Sequence, residues 1–226
     1  MFIGHYAPAL AARAFPKAPA LATGFIAVQL IDVGFFSLSW LGIEKWRPDL
    51  SLPGFSPIDL YFMPYTHSLL GTTGWATAAA LLFALVAPAG KRLAGSAFVF
   101  ALVASHWVLD LLVHRHDLGL LGDAEPKLGF GLWNWPLLEA PLELGVLAVG
   151  LAIYIGATKP KGWLGNVTPW IVLLVMLAGQ MFNWFGPRDA HPDPTAFSAM
   201  GLAAYGVAAL LGLALDLTRE RTTAST

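Results

Sequence analysis

Long apolar stretches alternate with short polar segments along most of this chain. A bilayer-spanning helix takes about 20 residues, and six stretches reach that length: 20–42, 68–88, 94–114, 137–157, 164–186 and 196–217. Residues 4–15 form a shorter apolar segment that ends just before Pro16. The pattern therefore predicts an all-α integral membrane bundle of six transmembrane helices, with an N-terminal half-helix that enters the membrane beside the first span.

Composition supports a membrane protein and excludes several other classes. Of the 226 residues, 57% are hydrophobic and 12% are charged, about half the charge of an ordinary soluble domain. The absence of cysteine excludes disulfides and thiolate metal sites. The net charge of −1 and the scattered basic residues give no support to a nucleic-acid partner. We expect a membrane-embedded bundle at 1–157 that carries a metal site, with two further transmembrane helices of the same domain at 158–226.

The span at 94–114 contains three ionisable residues at helical spacing. His106, Asp110 and His114 follow one another at intervals of four, which brings them close to one helix face. An acid near the centre of a membrane helix costs about 2–4 kcal/mol, so such groups pair, line a watery cavity or hold an ion. A buried His–Asp hydrogen bond between packed helices is the alternative to a divalent metal.

The other ionisable residues within the membrane lie at a similar depth. Counted from the nearest basic turn at about 1.5 Å per residue, the predicted depths run from about 18 to 30 Å for His5, Asp32, His67, His106, Asp110, His114 and Glu143. Polar residues that only join helices need not share one layer. The common depth therefore favours a metal or catalytic site.

The basic residues favour one orientation of the bundle. With the N-terminus in the cytoplasm, eight lysines and arginines lie on the cytoplasmic side and five on the other. Since short cytoplasmic loops carry the excess of basic residues, we expect both termini in the cytoplasm. The two longest loops, 43–67 and 115–136, then lie on the outer face, and the shared polar layer falls in the outer half of the bilayer.

Several of these residues stand in short motifs between residues 2 and 157: FIGHY (2–6), QLID (29–32), PYTHSLL (64–70), SHWVLD (105–110), HRHDL (114–118), PKLG (126–129) and GLWN (131–134), with Glu143 nine residues further on. In their order and spacing, these motifs resemble those of a known family, the bacterial membrane-bound metal-dependent-hydrolase-like proteins of the inner membrane. That family is in turn distantly similar to zinc-dependent phospholipase C and P1-type nucleases.

The resemblance implies a metal site, a location and an activity. The implied metal ligands are His5, Asp32, His67, His106, Asp110, His114 and Glu143. Catalysis is expected to depend on Asp110, His106 and Glu143. The chain is expected in a bacterial inner membrane, as a hydrolase of an ester or phosphoester.

The chemistry of this ligand set narrows the expected metal and substrate. Four histidines and three carboxylates suit Zn²⁺ and accept Mn²⁺ or Fe²⁺. Seven ligands exceed one tetrahedral shell, so the set has enough donors for two ions bridged by Asp32 or Asp110. The predicted depth favours an amphiphilic substrate, such as a phospholipid or a polyprenyl phosphate. In the outer loop, Asp117, Arg115 and Lys127 are candidate contacts for a substrate phosphate, the alternative being solvated loop charge.

Two other functions remain open from the sequence. The chain could be a membrane scaffold with a structural metal, which would favour a closed site with every ligand position filled by protein. It could also transport metal ions or protons. Against transport, the polar residues form one layer and no ligands run down a helix. For the hydrolase, the scaffold and the transporter alike, the bilayer is the expected partner. The hydrolase would in addition bind a lipid or phosphoester substrate.

Overall fold

The computed structural model describes residues 1–222, so the last four residues of the predicted segment 158–226 lie outside it. Helices make up most of this part, and the all-α bundle is confirmed. The helices are α1 (Tyr6–Ala12), α2 (Leu21–Val28), α3 (Leu30–Trp40), α4 (Leu69–Val86), α5 (Arg92–Val113), α6 (Pro136–Ala157), α7 (Trp163–Phe185) and α8 (Pro194–Thr218).

Five of these helices, α4 to α8, are long and apolar enough to cross a membrane. Their bounds lie within about two residues of the predicted spans, and the chain has the architecture of a multi-pass membrane protein.

Local signals mark the starts of α4 and α8, because the side chains of Ser68 and Asp193 accept hydrogen bonds from backbone N–H groups of the first turn. Pro194 and Pro136 occupy the first turns of α8 and α6, where no backbone donor is needed.

The predicted first span, 20–42, is not one straight helix. It is divided into α2 and α3, whose axes differ by 53°. The break falls at Gln29, which has φ −108° and ψ 6°, and the Gln29 amide donates to the carbonyl of Phe2. A membrane helix can be interrupted where neighbouring protein groups satisfy the freed polar atoms. The pair accounts for the sixth span if it is counted as one.

The N-terminal half-helix is present and is buried inside the bundle. A 3₁₀ turn at Ile3–His5 leads into α1, which packs against α6. At their crossing a Cβ on Gly150 would lie 2.6 Å from the Cα of Ala7, so only glycine permits this approach. Met1 is also buried and lies inside the bundle. The membrane side on which the termini lie stays a prediction from the sequence.

Two short antiparallel strand pairs, absent from the prediction, lie at opposite ends of the bundle. β1 (Lys45–Pro48) pairs with β2 (Ile58–Phe62), and β3 (Thr158–Pro160) pairs with β4 (Arg219–Arg221). Strands of three to five residues are too short for an alternating pattern to be read from sequence.

Three loops join at the β1–β2 end, and we call segments 41–68, 114–135 and 186–193 the loop cap. The Arg115 guanidinium donates to the carbonyls of Pro53 and Ser56, and the Arg188 guanidinium donates to the carbonyl of Gly54. The two longest loops, predicted to share one face, therefore meet at one end of the bundle.

Candidate metal centre

Six of the seven predicted ligands converge where the N-terminal 3₁₀ turn, α3 and α5 meet the loop cap. They form three overlapping groups, and the donor atoms within each group lie within 4.8 Å of one another. The groups are His5, His106 and Asp110, then Asp32, His67 and His106, then His67, Asp110 and His114. These buried clusters have the residue types and spacing to hold a metal ion.

Asp110 lies at the centre of the cluster. Its Oδ1 is 3.0 Å from Nε2 of His5, and its Oδ2 is 3.0 Å from Nε2 of His106. Oδ2 is also 3.6 Å from Nε2 of His114 and 3.7 Å from Nε2 of His67. Of the two predicted bridging carboxylates, Asp110 therefore reaches all four histidines.

Asp32 is the second carboxylate of the cluster. Its Oδ1 lies 3.4 Å from Nε2 of His67 and 3.5 Å from Nε2 of His106. Its Oδ2 accepts a hydrogen bond of 2.7 Å from the hydroxyl of Tyr205 in α8. This bond orients Asp32, and no sequence signal connects two residues so far apart in the chain.

Hydrogen bonds on the far side of two imidazoles determine which nitrogen faces the cluster. Nδ1 of His106 lies 2.7 Å from the carbonyl of Val28, beside the α2–α3 break, and Nδ1 of His114 lies 2.8 Å from Oδ1 of Asp117. A carbonyl and a carboxylate only accept hydrogen bonds, so each Nδ1 carries the proton. In the neutral imidazole, Nε2 then presents a lone pair to the cluster.

A relay through Thr66 determines the tautomer of His67. The carboxylate of Glu44, which is buried, accepts from the Thr66 hydroxyl at 2.6 Å and from the backbone N–H groups of Thr66 and Tyr65. Since the hydroxyl proton goes to Glu44, the Thr66 oxygen accepts from Nδ1 of His67 at 2.9 Å. The sequence interpretation did not identify Glu44, which lies in a predicted loop well before the histidine.

The resulting arrangement favours a positive charge between the side chains, either a proton or a cation, in addition to the buried N-terminal ammonium of Met1, which donates to Oδ1 of Asp110 at 3.1 Å. Three imidazole lone pairs face two carboxylates, and Nε2 of His106 and Oδ2 of Asp110 are buried without hydrogen-bond partners among residues 1–222. Ligands at 2.0–2.2 Å from one tetrahedral Zn²⁺ would be about 3.3–3.6 Å apart, close to the separations given above. The donor set fits a divalent cation, with outer hydrogen bonds of the kind that orient metal-binding histidines.

Glu143, the seventh predicted ligand, is engaged elsewhere. Its Oε1 accepts from the backbone N–H groups of Phe2 and Gly4, and its Oε2 lies 3.3 Å from the Gln180 amide nitrogen. Glu143 belongs to none of the three groups and holds the N-terminal segment against α6 and α7. It still borders the cavity described below, as does Glu139 one turn earlier, whose buried Oε2 has no partner in the described chain.

The three predicted substrate contacts take part in protein contacts of the loop cap. Asp117 orients His114, and the Lys127 ammonium pairs with Asp123 at 2.5 Å. The Arg115 guanidinium donates to Asn134 and to loop carbonyls, and burial lowers the pKa of Arg115 from its ordinary value. None of the three predicted contacts borders the cavity within residues 1–222, so their substrate role stays a prediction from the sequence.

A cavity of about 660 Å³ connects the cluster to the loop cap. Asp32, His67, Asp110 and His114 of the cluster line it, together with Glu139 and Glu143 of α6. Its remaining walls are largely aromatic and small apolar side chains from α3, α7, α8 and the loop cap. The volume falls within the usual range for a small-molecule site, about 300–1,000 Å³.

Comparison of the chain with protein-family models, with curated proteins and with solved structures finds no match.

Proposed function

We propose that this protein is a metal-dependent membrane hydrolase that acts on an ester or phosphoester. The observation that carries the proposal is the convergence of three imidazole lone pairs on Asp32 and Asp110 at the inner end of a cavity. The resemblance in sequence to metal-dependent-hydrolase-like membrane proteins points to the same function. We favour zinc, with manganese or iron as alternatives, because the donors are nitrogen and oxygen without sulfur.

The candidate ligands are the six clustered residues. Bound there, a divalent cation would supply Lewis-acid activation of water and charge stabilisation for an ester or phosphoester oxygen. The chain contributes the orientation of the donors: Val28 and Asp117 hold two imidazoles, and Tyr205 holds Asp32. Asp110 and His106, two of the predicted catalytic residues, lie at the cluster itself.

Glu143 and Glu139 divide the roles that the sequence assigned to Glu143 alone. Both oxygens of Glu143 accept hydrogen bonds, so we assign it to positioning the segment that carries His5. Glu139 borders the cavity with a carboxylate oxygen that has no partner within residues 1–222, and this oxygen can accept a proton or a hydrogen bond from a bound molecule. We therefore expect Glu139→Gln to lower turnover without lowering the metal content.

The cavity favours hydrolysis over a purely structural metal. In a closed structural site, protein would surround every ligand, whereas four of the clustered side chains border open space. Transport has less support, because apolar side chains of α1, α2 and α5 fill the bundle between the cluster and the β3–β4 end. Val99, Leu102 and Val103 of α5 belong to this apolar core.

The first test is the metal content of the protein purified in detergent, measured by mass spectrometry. We expect one to three equivalents of zinc, manganese or iron in the wild type, and loss of metal in a His106→Ala/Asp110→Ala double variant. His191→Ala is the matched control, because His191 is an exposed histidine outside the cluster. Hydrolysis of bis(p-nitrophenyl) phosphate and of p-nitrophenyl acetate then follows the same pattern.

Two results would overturn the proposal. A wild type that stays metal-free after incubation with Zn²⁺, Mn²⁺ or Fe²⁺ would leave the cluster as protonated interhelical hydrogen bonds. A protein that binds metal but hydrolyses neither reagent, nor vesicles of phosphatidylglycerol and phosphatidylethanolamine, would support the scaffold instead.

A further inference from the structure

The last two transmembrane helices are in close contact at the β3–β4 end. At the β3–β4 end the Arg219 guanidinium donates to the carbonyl of Gly165 at 2.7 Å, and a Cβ on Gly165 would lie 2.3 Å from the carbonyl oxygen of Thr218. The backbone N–H of Lys161 donates to that same oxygen at 2.8 Å. α7 and α8 are therefore in backbone contact where α7 begins and α8 ends.

At the loop-cap end the two helices are separated by the cavity. The α7 wall consists of residues 179, 182, 183 and 186, and the α8 wall includes residues 196, 200, 201 and 204. Both sets recur at intervals of three and four, so each is one face of its helix. We call this space the α7–α8 cleft. Along α8 it runs for about 12 Å, at about 1.5 Å per residue.

Apart from Asn183, the residues named for the two walls are apolar, and the cleft is accessible from outside the bundle. Its small side chains, among them Gly179 and Ala204, leave room between the helices, while Phe182 and Met200 are 57% and 51% exposed. Both helices are long and apolar enough to cross the membrane. The exposed side of the cleft therefore faces the bilayer, where lipid chains are the surrounding solvent.

The inner end of the cleft adjoins the cluster of histidines and aspartates. Tyr205 follows Ala204 on α8, borders the same cavity and donates its hydroxyl to Asp32. A molecule with a hydrocarbon chain along the cleft would thus bring its polar end to the clustered carboxylates and imidazoles.

We infer that the α7–α8 cleft binds one hydrocarbon chain of a membrane lipid. The lipid enters sideways from the bilayer and directs its headgroup to the cluster of histidines and aspartates. The part of this inference that makes the lipid a substrate rests on the proposed function. The occupancy of the cleft by a lipid chain does not, because it follows from the shape and exposure of the two helices.

Photolabelling in lipid nanodiscs tests the inference. The probe is a phosphatidylglycerol with a diazirine midway along one acyl chain, and mass spectrometry of digested protein locates the adducts. We expect more adducts per residue on residues 179–186 and 196–204 than on the outer face of α4. That face, where Leu81 and Leu85 are exposed, measures labelling by bulk lipid. Ala204→Trp fills the cleft, so labelling of the cleft is lost while labelling of α4 is unchanged.

Ala203→Trp is the matched control, since Ala203 is exposed on the same helix but does not border the cavity; it should label as the wild type does. If Ala204→Trp fails to fold, Gly179→Leu replaces it, because a Cβ there meets only the Phe2 ring, at 3.5 Å. Cleft labelling no denser than on α4, or undiminished in the folded cleft variant, would overturn the inference.

The labelling and metal tests separate the two proposals. Cleft labelling in a protein that takes up no metal would sustain the lipid site and reject the hydrolase. Metal uptake and hydrolysis of bis(p-nitrophenyl) phosphate without cleft labelling would sustain the hydrolase and reject the lipid site.

Discussion

Replacement of Glu44 by glutamine keeps the side-chain shape and reverses one hydrogen bond. The wild-type carboxylate accepts the Thr66 hydroxyl proton, which leaves the Thr66 oxygen to accept from Nδ1 of His67. In Glu44→Gln, the amide oxygen can still accept from the two backbone N–H groups, and the amide nitrogen donates to the Thr66 oxygen. The hydroxyl proton then turns to His67 Nδ1, which moves the imidazole proton to Nε2.

The size of this effect follows from the bonds that change. A proton on Nε2 of His67 blocks a donor atom that lies 3.4 Å from Asp32 and belongs to two of the three ligand groups. Loss of an outer partner of a metal ligand typically lowers metal affinity about 10–100-fold, or about 1.4–2.8 kcal/mol. The three hydrogen bonds that the Glu44 carboxylate accepts, from two backbone N–H groups and the Thr66 hydroxyl, also lose their charge assistance. This lowers the free energy of unfolding by about 1 kcal/mol for each bond.

Zn²⁺ affinity is measured by competition with a chromophoric chelator in detergent, and the tautomer by ¹⁵N NMR of labelled histidine. Glu220→Gln is the control, because Glu220 is an exposed acid in β4 that pairs with Lys159 at the other end of the bundle. A folded Glu44→Gln protein with the Zn²⁺ affinity of the wild type would refute the assignment of the His67 tautomer. An unchanged ¹⁵N pattern would do so as well.

Three further outcomes are expected. Gly150→Ala should lower the free energy of unfolding by about 1–3 kcal/mol, because its Cβ would meet Ala7. Gly145→Ala should leave the free energy of unfolding unchanged, because no atom of the described residues 1–222 lies within 4 Å of its Cβ. Thermal unfolding in detergent compares the two variants. Tyr205→Phe removes the hydrogen bond to Asp32 and should weaken Zn²⁺ binding about tenfold, so an unchanged dissociation constant contradicts the orienting role. Removal of metal by a chelator should lower Tm, since ligand at 100 times Kd adds about 2.7 kcal/mol, and Zn²⁺ should restore it.

The predictable part of the fold is the part encoded by local pattern. Apolar runs of about 20 residues located five spans to within a few residues, because a membrane helix must satisfy its own backbone hydrogen bonds over the width of the bilayer. The break at Gln29 was missed, since the polar side chain that stabilises it bonds to Phe2, in a different part of the chain. The β1–β2 and β3–β4 pairs were missed because their strands are too short to show a period.

The candidate site likewise has a part that the local sequence pattern predicts and a part that it does not. The interval of four between His106 and Asp110, and the common depth of the other ionisable residues, are properties of the sequence and predicted six of the clustered side chains. Glu143 has the same residue type and a similar depth, yet its carboxylate bonds to the N-terminal backbone. Depth along a helix is fixed by residue count, whereas the direction of a side chain around the bundle depends on which helices are neighbours.

By itself, the sequence determined a helical membrane bundle with one layer of histidines and carboxylates, because span length and residue spacing are local quantities. Only the tertiary structure decided which nitrogen of His67 faces the cluster and at which end α7 and α8 are held together. Those features depend on the Glu44–Thr66–His67 relay and on the contact of Arg219 with Gly165. Glu44 and Arg219 lie 22 and 54 residues from their partners, and a local pattern carries no information about contacts at such separations.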